Sequence, residues 1–76
     1  MDIKILGPGC AKCKKTEEIV REAVAEAQAE ATVEKVTGML EIAAFGVMMT
    51  PAVVVDGQVK IVGKIPNKDQ VKEWLK

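Results

Sequence analysis

The chain has no histidine and no tyrosine, and its aromatic content is one tryptophan and one phenylalanine. Hydrolytic or general-base catalysis at neutral pH therefore has little to work with. There is no excess of charge of either sign, since 11 lysines and arginines face 11 aspartates and glutamates. So balanced a chain offers no basic stripe to nucleic acid and carries no acidic tail. No apolar run approaches the roughly 18 residues of a membrane span. The longest, Ile42 to Met49, is interrupted by Gly46. Asp2 and a short strand stand where a secretory leader would need a basic and then a long apolar segment, so a cytoplasmic location is expected. Cysteine is scarce as well. Only Cys10 and Cys13 are present, three positions apart, and a pair so placed cannot staple distant segments of a secreted domain. Closing so short a loop removes roughly 2 kcal/mol of unfolded-state entropy in the chain model, against about 3 for a 15-residue loop. The pair is a poor staple and suits cycling between dithiol and disulfide.

What is present fits one small domain spanning 1–76, near the lower size at which a chain folds unaided. Ile3 and Ile5 alternate with Asp2 and Lys4, and Leu6 closes a first strand. From Lys12 to about Glu30, Ile19, Val20, Ala23, Val24 and Ala27 recur at helical spacing, with charged residues on the other faces. Between strand and helix lies Gly7-Pro8-Gly9-Cys10-Ala11-Lys12-Cys13. Unpartnered N–H groups and the positive end of the helix dipole favour thiolate at such a junction. Gly7 and Gly9 suit a tight turn, and Lys12, Lys14 and Lys15 add positive charge nearby. Cys10 is therefore expected to have the lower thiol pKa of the two.

Thr32 to Thr37 reads as an edge strand, although Val33 and Val36 do not alternate cleanly. Met39 to Phe45 reads as a short helix capped by Gly46. Ala52 to Val55, apolar on both faces, reads as a central strand, and Asp56-Gly57 turns it into a fourth strand carrying Val59 and Ile61. Asn67 is placed to cap a last helix with Val71, Trp74 and Leu75 as its inward stripe. Met39, Met48 and Met49 read most simply as core filler. The fold class is α/β, of order βαβαββα, with a mixed four-stranded sheet and helices on both faces.

A CxxC after the first strand, Thr50-Pro51 opening the third, the Asp56-Gly57 hairpin and a glycine after the fourth strand resemble the thioredoxin/glutaredoxin superfamily. The form is similar to the small thioredoxin-like redox-active disulfide proteins of archaea and bacteria, over essentially the whole chain. The resemblance implies a thiol:disulfide oxidoreductase with Cys10 as attacking thiolate and Cys13 as resolving thiol, supported by Gly9 and Lys12. It implies a cis bond before Pro51, a substrate groove lined by Met49 and Thr50, and a facing rim of Val62 and Gly63. It further implies no cofactor beyond the Cys10–Cys13 disulfide, disulfide-containing protein substrates, a thioredoxin-reductase-like electron donor and a monomer without nucleic-acid or membrane partners. The chain departs from larger thioredoxins in carrying Lys4 where they place a buried acid, which leaves the proton acceptor for Cys13 unassigned. Gly63-Lys64-Ile65-Pro66 stands where glutaredoxins carry a glutathione-binding Gly-Gly-x-Asp.

The alternative is a soft-metal module that uses the pair without turnover. Structural zinc takes four ligands, which this chain could complete only across a dimer. Small copper-handling domains carry a CxxC after their first strand, but in βαββαβ order with methionine before the motif. Here Gly9 precedes Cys10, and a second helix is expected before the hairpin.

Overall fold

The computed structural model describes residues 1–9 and 11–75; Cys10 lies outside them, as do the expectations placed on its side chain. Among the described residues the elements are β1 (Asp2–Leu6), α1 (Ala11–Ala27), β2 (Thr32–Val36), α2 (Met39–Ala44), β3 (Ala52–Val55), β4 (Gln58–Val62) and α3 (Lys68–Trp74). The strands form one mixed sheet in the order β2-β1-β3-β4. β1 runs parallel to β2, with Asp2 opposite Thr32 and Leu6 opposite Val36. It runs antiparallel to β3, with Ile3 opposite Val55 and Leu6 opposite Ala52. Both C-terminal ends of the parallel pair and the N-terminal end of β3 therefore meet at one edge of the molecule, beside the start of α1.

Strand alternation divides the core in two. Ile3, Ile5, Val53 and Val55 point to one face and pack with Val20 and Ala23 of α1 and Val71 of α3. Leu6, Val36, Ala52 and Val54 point to the other, where Ile42, Val47 and Phe45 cover them. β2 supplies Val33 to the first face and Val36 to the second. This explains its poor alternation in sequence: an edge strand gives each layer a single apolar residue.

Local chemistry sets most boundaries. Asn67 accepts a hydrogen bond from the Gln70 N–H at 2.8 Å, and the Gln70 side chain accepts from the Asn67 N–H at 3.0 Å, a reciprocal cap that starts α3. Asp56 (φ 49°) and Gly57 (φ 81°) make the tight turn between β3 and β4. The Asp56 carboxylate also accepts from the Asp2 N–H at 2.8 Å, tying this turn to the start of β1.

Two expectations are corrected. α1 stops at Ala27 and not near Glu30, because Gln28 turns left-handed (φ 52°) and the Ala29 N–H reaches back to the Val24 carbonyl at 3.1 Å. The alanine-rich sequence favours further helix, but the chain must become extended at Thr32, whose N–H donates to the Met1 carbonyl at 2.9 Å. Strand pairing overrides propensity there. The methionines are not core filler either: Met39, Met48 and Met49 are 68%, 95% and 62% exposed, as is Leu40 at 88%. α2 is six residues long and buries only Ile42, while Val47 fills the space next to it.

Candidate functional site

β1 ends at Leu6, and the Gly7 N–H extends its ladder by donating to the Val36 carbonyl at 2.9 Å. The chain then bends through residues 7–9, with Gly9 at φ 97°, a conformation that favours glycine. α1 begins at Ala11, directly after Cys10. Cys13, its third residue, is 4% exposed and faces inward together with Thr16 and Val20. Thr16 is fully buried, and its hydroxyl donates to the Lys12 carbonyl at 2.9 Å, so its polar atom is satisfied within the helix.

Gly7 has a role that the sequence reading did not give it. Its φ is not in the left-handed region, yet a Cβ built there would overlap Cys13 Sγ and stand 3.8 Å from Thr50 Cβ. The missing side chain lets the sulfur seat against the backbone of residue 7, with Thr50 on the same spot. This joins the cysteine corner to the segment before β3.

In that segment the Thr50–Pro51 peptide bond is cis. Pro51 is fully buried, Thr50 half-buried and Met49 exposed. The Pro51 carbonyl accepts from the Gly63 N–H at 2.8 Å. Gly63 has φ 72°, and a Cβ there would lie 3.2 Å from Met49 Cβ. Val62 stands opposite Ala52 at the end of β4. The fold thus gathers Met49, Thr50, Pro51, Val62 and Gly63 at the edge where Cys13 is seated. Lys12 is exposed on the outer face of α1. Lys15, also exposed, pairs with Glu18 at 3.9 Å.

Lys4 does not enter this site. It lies on the opposite sheet face from Ile3 and Ile5 and reaches Glu34 at 3.5 Å and Asp2 at 3.7 Å. A small cavity of about 30 Å³ instead opens beside Cys13 on the α1 face, and Gly7, Lys14, Glu17, Lys35 and Thr37 line it with the sulfur. Glu17 was not singled out from sequence. The signal was its position four residues after Cys13, which puts both on one helix face.

Among the described residues no group of three or more histidine, cysteine or acidic side chains is arranged to hold a metal. No helix among them is long and apolar enough to cross a membrane.

Comparison with known proteins places this geometry in context. The profile of the thioredoxin domain family matches residues 1–76. A thioredoxin of Methanothermobacter thermautotrophicus is 40% identical over 75 residues, covering 99% of this chain and 97% of that protein. A thioredoxin of Methanocaldococcus jannaschii is 45% identical over 74 residues, covering 97% of this chain and 85% of that protein.

Proposed function

The chain belongs to the thioredoxin family, and from that premise we propose that it is a thiol:disulfide oxidoreductase whose Cys10–Cys13 pair alternates between dithiol and disulfide. The observation that carries this reading is the seating of Cys13, buried at the first turn of α1 against Gly7, with Thr50 bordering the same spot. A thiol so shielded is protected from bulk reagents and meets only a sulfur delivered to the corner. Cys10, one position before α1, has the chemical setting for the attacking thiolate: the helix terminus and the lysines that follow favour its charged form.

In the proposed cycle the Cys10 thiolate attacks a protein disulfide, forming a mixed disulfide and releasing one substrate thiolate. Cys13 then attacks Cys10 Sγ, closing the Cys10–Cys13 bond and releasing the second. The substrate gains two electrons and the dithiol loses two. Met49, Thr50 and Pro51, with Val62 and Gly63 opposite, offer backbone and apolar surface to an extended substrate segment, a mode that demands no particular side chains. A reductase acting on the disulfide restores the dithiol. No cofactor is required, and the proposed working form is a cytoplasmic monomer.

A Cys13→Ser variant tests this directly, because Cys10 can still attack and the mixed disulfide then has no resolving thiol. Expected are covalent adducts with disulfide proteins that a reductant releases, and none with Cys10→Ser. Purified protein that holds stoichiometric zinc or copper and has no oxidisable thiol pair would overturn the reading in favour of the metal module.

A further inference from the structure

We propose that Glu17 is the proton acceptor for the Cys13 thiol when Cys13 resolves the mixed disulfide. The inference rests on the proposed exchange reaction and adds to it a residue with a defined task. Resolution needs Cys13 as thiolate, because the thiol itself is not the nucleophile. Cys13 is 4% exposed, so its proton must leave through a specific neighbour rather than to bulk solvent.

The cavity beside the sulfur gives that route. Its lining includes Cys13 and a single carboxylate, Glu17. The two residues are one helical turn apart, where side chains on the same face have Cβ atoms about 5–6 Å from each other. One water between sulfur and carboxylate spans such a separation, and the cavity, at about 30 Å³, has room for it. A base acting through one water is within the reach that proton transfer requires.

Glu17 is also held for the task. Arg21 Nε donates to Glu17 Oε2 at 2.9 Å, and Lys35 Nζ lies 3.7 Å from Oε1. The carboxylate side chain is 19% exposed, in contrast to 53% for Arg21 and 57% for Lys35. Each carboxylate oxygen thus has a cation beside it, and Glu17 is among the residues that line the cavity. Of the other charged groups, Lys14 lines the cavity from α1 and Lys35 from β2, and both favour the anionic sulfur once it forms. Asp2 and Glu34 belong to the Lys4 cluster at the other side of β1 and do not compete.

The Cys13 S–H bond breaks and its proton passes through water to the Glu17 carboxylate. The sulfur lone pair forms the bond to Cys10 Sγ, and the bond from Cys10 to the substrate sulfur breaks. The substrate leaves as thiolate and takes up a proton from solvent, and Glu17 returns its own proton to solvent through the cavity mouth.

The test mixes fully reduced protein with dithiobis(nitrobenzoate) in a stopped-flow instrument. The first nitrothiolate released per chain reports attack by Cys10, and the second reports resolution by Cys13. Glu17→Gln is expected to leave the first rate within about twofold and to slow the second by about 10- to 100-fold, within the span of general-base effects. Glu17→Ala should regain resolution rate in proportion to added formate, which a structural role would not produce. Glu18→Gln removes an exposed α1 carboxylate that does not line the cavity and should resolve within about twofold of the parent. Resolution by Glu17→Gln at the parent rate, or a loss in Glu18→Gln equal to that in Glu17→Gln, overturns the proposal. A parent protein that releases only one nitrothiolate would instead defeat the exchange reading on which it rests.

Discussion

Gly7 and Cys13 compete for one volume: any side chain carbon at residue 7 would overlap the Cys13 sulfur. The glycine is required by the neighbour it meets and not by a left-handed backbone. The Thr50 side chain borders the same spot, its Cβ 3.8 Å from where that carbon would lie.

Gly7→Ala is expected to force Cys13 off its seat, because the methyl group collides with a buried sulfur and not with the free end of a flexible chain. Overpacking of a tight site costs about 1–3 kcal/mol. The urea midpoint should fall at unchanged slope, and release of the second nitrothiolate should slow more than release of the first. A variant with parent stability and parent resolution would show that Cys13 does not occupy this seat in solution.

Acid should loosen the contact between α1 and α3 through Glu26. Its carboxylate accepts from Lys68 Nζ at 2.6 Å and Lys72 Nζ at 2.9 Å, and Lys68 also lies 3.3 Å from Glu22. The hydrogen bond from Lys68, then that from Lys72, lowers the Glu26 pKa from 4.5 to about 2. The hydrogen bond to Glu26 raises that of Lys68. A carboxylate depressed in the folded state contributes stability that is present above its unfolded value and lost as pH falls through the folded one. The lysine contribution is present below 10.5 and lost as pH rises through its raised value. The groups are exposed, so the effect is small and screened by salt. The check is the urea midpoint of parent and Glu26→Gln from about pH 5 down to about pH 2. The parent should lose more than the variant over this range, and less so at high salt. Equal losses would remove Glu26 from the clasp.

Much of this architecture was legible because local chemistry and tertiary packing agree. Asn67 with Gln70 three residues on, Asp56-Gly57 between apolar runs, and Gly46 after Phe45 each announce a boundary that the fold uses. Legibility failed where distant contacts decide. Nothing local in Ala27-Gln28-Ala29 marks the end of α1; the pairing of Thr32 with Met1 does. The methionines read as apolar and hence inward, yet α2 is too short to cover them. At the site, the positions of Cys13, Thr50, Pro51 and Gly63 follow from strand order. The meeting of Gly7 with Cys13, and the cavity that joins Cys13 to Glu17 and Lys35, arise only when β2 lies beside β1 and α1 folds across both.

Gly63 and Gly57 offer a paired test of the rim opposite the cysteines. Both have positive φ, 72° and 81°, so alanine at either position bears the cost of a left-handed backbone, about 1–2 kcal/mol. Only Gly63 has a neighbour in the way: the added Cβ would stand 3.2 Å from Met49 Cβ and 3.3 Å from its Cε, whereas nothing lies within 4 Å at Gly57. The Met49 side chain can swing its end away, but Cβ moves only with the backbone of residues 49–51. That backbone is fixed to Gly63 through the 2.8 Å hydrogen bond from its N–H to the Pro51 carbonyl. Gly63→Ala should accordingly be less stable than Gly57→Ala and should reduce a protein disulfide more slowly. Gly57→Ala should lose stability alone, because its turn lies at the far end of β3 from Thr50. Urea midpoints read the first difference and single-turnover reduction of a protein disulfide the second. If the two variants match in both measurements, the contact between Met49 and Gly63 does not shape the groove.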